Sequence, residues 1–79
     1  MAIRVHLNDG YTIVSRSSLK EMQQAYSKAL DRHTVLDLKS SDGTVRAINP
    51  MQILYFEEID DATADRLLNG QTRHLSVQA

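Results

Sequence analysis

"SSDGTVRAINPMQILYFEEI", residues 40–59, decides how this chain folds. Ser-Asp-Gly at 41–43 is a turn signal, because these residue types tolerate the positive φ of a tight hairpin. "TVRAIN" then alternates apolar and polar, as a strand with one wet face does. Pro50 cannot donate to a sheet ladder and pushes Asn49 towards extended geometry, so "NP" predicts a corner between two strands. Beyond it Ile53, Leu54, Tyr55 and Phe56 stand side by side, followed by Glu57 and Glu58. Simple alternation would leave two of these four apolar residues in water. Burying all of them needs cover on both faces of the strand. The strand is therefore expected to be central in its sheet or at an interface between subunits.

The segments on either side extend the pattern. "TVLDLKS" sets Leu36 and Leu38 opposite Asp37 and Lys39, and with "TVRAIN" it predicts a hairpin. At the start of the chain Ile3, Val5 and Leu7 alternate with Arg4 and His6. "NDG" at 8–10 turns the chain into the β-branched run "YTIVS", so residues 2–15 predict another hairpin. Between the hairpins the period changes. Leu19, Met22, Tyr26, Ala29 and Leu30 recur at helical spacing. Ser18 and Glu21 match a capping box, and Arg32 and His33 suit a helix C-terminus. A helix over about 18–32 is expected to bury that apolar stripe. After Ile59, Asp60 reads as the N-cap of a helix over about 61–68, closed by Asn69 and Gly70.

The order β-β-α-β-β-β-α predicts an α+β domain over residues 1–70. It has a small, mainly antiparallel sheet of about five strands, one long helix packed on one face, and a short C-terminal helix. The polar tail 71–79 is expected to be a flexible end or an added edge strand.

Composition narrows the function. The chain has 79 residues and no cysteine, so neither disulfides nor thiolate-bound zinc can reinforce a small core. Chains of this size gain burial by oligomerising. No apolar run approaches the roughly 20 residues of a membrane span, and the start reads as a strand rather than a secretory leader. A soluble, cytoplasmic protein with no membrane contact is expected. Nine Lys and Arg against ten Asp and Glu lack the positive excess of a dedicated DNA-binding domain.

Candidate chemistry is sparse. His6, His33 and His74 have no metal-binding spacing, and the glycines form no phosphate loop. Asp9 and Asp42 sit at turn tips, where turn geometry accounts for them. Glu57, Glu58, Asp60 and Asp61 form an acidic run at a strand end and helix start, where acids are stabilised by the helix dipole. No catalytic residue, metal or cofactor is expected. Two surfaces stand out. Alternation sets Arg4, His6, Lys39 and Arg46 on one outward basic face without interleaved aromatics, Tyr11 excepted. The apolar run Ile53, Leu54, Tyr55 and Phe56 is the candidate oligomer interface.

The leading expectation is a non-enzymatic binding module, an adaptor, inhibitor or regulator. It would self-associate, most simply as a dimer, and engage a protein partner. One alternative is a nucleic-acid-binding regulator using the basic face. Another is a small-ligand or nucleotide-binding oligomer with pockets between subunits.

Overall fold

A computed structural model describes residues 1–40 and 43–75. The chain runs β1 (Ala2–Leu7), β2 (Thr12–Ser15), α1 (Leu19–Asp31), β3 (Leu36–Lys39), β4 (Val45–Ile48), β5 (Ile53–Ile59) and α2 (Asp61–Leu75), with a single 3-10 turn at Pro50–Gln52 before β5. The α+β class and the antiparallel pairing are as expected, but the single five-stranded sheet is not. The strands split into a three-stranded sheet in the order β2-β1-β5 and a separate β3-β4 hairpin.

Both hairpins close in the same way. Leu7 N–H donates to Tyr11 O and Gly10 N–H to Leu7 O; likewise Ser40 N–H donates to Thr44 O and Gly43 N–H to Ser40 O. Each loop ends on a glycine of positive φ, 93° at Gly10 and 92° at Gly43, a conformation in which a Cβ would be strained. Ser41 and Asp42 of the second turn lie outside the described residues.

α1 begins as its capping box dictates: Glu21 N–H donates to Ser18 Oγ, and Ser18 N–H to the Glu21 carboxylate. It ends in a Schellman motif. Thr34 N–H reaches Ala29 O and His33 N–H reaches Leu30 O, with His33 at a φ of 52°. Met22 and Ala29 are buried, and Leu19, Ala25 and Tyr26 pack around them. Leu30 is not core, as the stripe had suggested; it stays 36% exposed. Eight residues on from Met22, it is turned about 80° away from the buried line at 100° per residue.

Successive residues of β1 face opposite sides of the sheet. Ile3 and Val5, with Ile13 of β2, join Met22, Ala29, Leu36, Leu38, Ile48 and Ile53 in the main core. α1 and the β3-β4 hairpin therefore lie on one side of the three-stranded sheet. On the other side Ala2 and Val14 meet Ala64 of α2, with Ile59, Leu67 and Leu68 around them. No single long helix covers the sheet, and the C-terminal helix is the longer of the two, at 15 residues against 13. Asp60 caps it as expected, accepting from Thr63 N–H at 2.7 Å. Asn69 and Gly70 do not end it; the helix passes through to Leu75. An interior glycine costs a helix about 1 kcal/mol, which the apolar contacts before it offset. Of the polar tail 71–79, residues 76–79 lie outside the described residues.

Two polar ties hold the layers. Buried Ser15 donates its hydroxyl to Lys39 O at 2.8 Å, joining β2 to the end of β3. Arg16 reaches Asp65 at 2.7 Å and Asp61 at 3.4 Å, and the Met1 amino group lies 2.9 Å from Asp61.

Candidate functional site

β5 is not a central strand. Among the described residues it forms the outer edge of its sheet, with β1 as its one partner strand. Its register explains how four adjacent apolar residues fit. Tyr55 pairs with His6 and Ile53 with Leu7, so Leu54 is the extra residue of a β-bulge. Ile53 points into the core and is 8% exposed. Phe56 also turns inward and meets Tyr26 edge-to-face, with ring centroids 5.6 Å apart. Leu54 and Tyr55 remain 66% and 53% exposed. α2 covers this side of the sheet only towards Ala2, Val14 and Ile59. The two-sided burial that the sequence asked of the strand is not supplied by one copy of the chain.

Beside this edge lies a small polar cluster. The His6 and Tyr55 rings stack at 4.1 Å with an interplanar angle of 17°. His6 Nε2 lies 2.7 Å from a Glu57 carboxylate oxygen. Cross-strand partners share a face, so Arg4, His6, Tyr55 and Glu57 lie on the same side. The Nε of Arg4 is buried without a hydrogen-bond partner among the described residues. Tyr55 thus brings to Arg4 and His6 the aromatic neighbour that the sequence pattern had not shown there. The cross-strand register that makes the pair is invisible to local alternation.

The four basic residues do not gather on one surface. Arg4 and His6 belong to the three-stranded sheet, Lys39 and Arg46 to the separate hairpin. Lys39 pairs with exposed Val45, whereas Arg46 pairs with buried Leu38, so the two lie on opposite faces of that hairpin. Arg46 instead borders a small groove of about 230 Å³ with Leu7, Tyr11 and Ile13.

A larger open groove, about 640 Å³, runs between the end of α1 and the 3-10 turn. Leu30, Val35 and Met51, all exposed, line it together with His33 and Asn49. Sequence reasoning did not find it, because its walls come from two segments, residues 29–35 and 49–51, that no shared period links.

Three carboxylates are held below their ordinary range by local contacts. Glu21 is lowered by its hydrogen bonds from Ser18, and Asp60 by hydrogen bonds from Thr63. Asp61 is lowered chiefly by the Met1 amino group. All three serve helix starts. Among the described residues no three His, Asp or Glu side chains converge as a metal site would require, and no helix is long and apolar enough to cross a membrane. No family model, curated protein or solved structure matches this chain.

Proposed function

We propose that this chain is a small non-enzymatic binding module that self-associates through β5 and acts by engaging another macromolecule. The observation that carries the reading is the exposure of Leu54 and Tyr55 on a strand whose outer backbone edge has no partner strand among the described residues. An open edge presents unpaired N–H and C=O groups to any strand that approaches. Proteins blunt such edges with charge or bulges. Here the bulge at Leu54 turns an apolar side chain outward instead. Covering Leu54 is worth about 1–2 kcal/mol per subunit, taken as the exposed part of a full leucine burial.

The test is light scattering on the protein eluting from a sizing column. Wild-type protein at high micromolar concentration is expected at twice the chain mass, and Leu54→Glu at the chain mass with its fold intact. A wild-type monomer under those conditions overturns the reading.

A second reading, nucleic-acid binding, draws on one observation: Tyr55 offers an exposed ring beside Arg4 and His6. Aromatic rings flanked by cations are the usual platform for single strands. Glu57, bonded to His6 on the same face, places negative charge where a phosphate would pass. Binding to a single-stranded oligonucleotide that weakens steeply with salt would favour this reading.

A further inference from the structure

We infer that two copies join by antiparallel pairing of β5 with β5 in one register, with Phe56 opposite the partner's Phe56, so that two three-stranded sheets become one of six strands. The inference rests on the self-association reading and adds which atoms meet.

Of the unpaired strand edges among the described residues, β5 is the longest, at seven residues. β2, the other edge of that sheet, is only four residues long, and the second hairpin reaches its end through the bond from Ser15 to Lys39 O. No strand lies beyond β5 among the described residues. A two-fold axis perpendicular to the sheet makes the strands antiparallel and keeps each face on its own side. Residues that meet across it must therefore share a face.

Charge and the length of strand that can pair select one register. From Tyr55 onward β5 alternates: Tyr55, Glu57 and Ile59 lie on the side of His6, Arg4 and Ala2, and Phe56 lies on the side of Val5. Matching faces requires the axis to pass beside a residue rather than between two. Centring on Glu57 or Glu58 sets each acid against its own copy, which is unfavourable. Centring on Ile59 sets Glu58 against Asp60 and leaves Leu54 and Tyr55 outside the pairing. Centring on Tyr55 sets Glu58 and Ile59 against Gln52 and Met51 of the 3-10 turn, so only residues 53–57 could pair. Centring on Phe56 sets Tyr55 against the partner's Glu57 and Leu54 against the partner's Glu58. No acid then opposes an acid, and both exposed apolar residues lie within the paired segment.

The same register extends the polar cluster across the junction. Each Glu57 already bonds to His6, and each His6 stacks on Tyr55. Setting Tyr55 beside the partner's Glu57 joins the two clusters into one row.

The chain has no cysteine, so introduced thiols report on a single pair. Tyr55→Cys and Glu57→Cys proteins are mixed under mild oxidation. A several-fold excess of the mixed disulfide over either self-disulfide is expected, because opposed residues come closer than diagonal ones. A second measurement keeps one partner native: a spin label on Glu58→Cys, mixed with isotope-labelled wild-type protein, should broaden the amide of Leu54 most. If light scattering shows a dimer while self-disulfides dominate or broadening centres elsewhere, the register is wrong and self-association stands. If the protein stays monomeric, both fail.

Discussion

His33 holds a φ of 52°, a backbone angle that favours glycine, at the position where a Schellman motif usually places one. An L-residue there costs about 1–2 kcal/mol, partly offset by the greater freedom of glycine in the unfolded chain. His33→Gly should therefore raise stability by about 0.5–1 kcal/mol in urea unfolding; a loss would show that the imidazole makes a stabilising contact in the groove it borders. Ser15 makes the opposite case. Its buried hydroxyl is a donor to Lys39 O, so Ser15→Ala should cost about 1–3 kcal/mol by stranding that carbonyl. Acid should act through Glu21, Asp60 and Asp61. Their values are depressed in the folded chain, so their contribution is fully present above the ordinary 4.5 and 3.8 and disappears as pH falls through the lowered values. A thermal melt that is flat from neutrality to about pH 5 and falls below pH 4 is the expected profile; steep loss above pH 6 would contradict it.

Local chemistry made most elements legible. The capping box at Ser18 and Glu21, the Asp60 cap and both Asp-Gly turns are contacts between near neighbours, and the residue types specify them. The failures are contacts between distant segments. Nothing local marks Leu54 as a bulge, since the extra residue is defined only by its partner strand. Nothing local divides five strands into two sheets. Asn69 and Gly70 misled because a stop signal is weak when a helix is already fastened by Ala64, Leu67 and Leu68. In α1 the apolar stripe was right in period and wrong at one rim. Met22→Ala should cost about 2–5 kcal/mol as a core truncation. Leu30→Ala should cost less than half as much, since that side chain opens on the groove between α1 and the 3-10 turn. Equal losses in chemical denaturation would mean that Leu30 is packed in solution.

At the scale of the molecule, a domain this small buries only about 60% of the surface its unfolded chain exposes. Its helices and second hairpin are spent on the two faces of the three-stranded sheet. The longest unpaired strand edge among the described residues, β5, carries exposed Leu54 and Tyr55. The sequence singled out this strand as the candidate interface because adjacent apolar residues implied two buried faces, whereas the structure offers an open edge. The most direct test is residue-resolved amide exchange of the wild-type protein as a function of concentration. Amides of β5 that donate to β1 should be protected throughout. The alternate amides facing away from β1 should exchange freely when dilute and slow markedly at high micromolar concentration, with little change elsewhere. Exchange along β5 that stays the same at every concentration, or protection that grows on another surface instead, would contradict self-association through this edge.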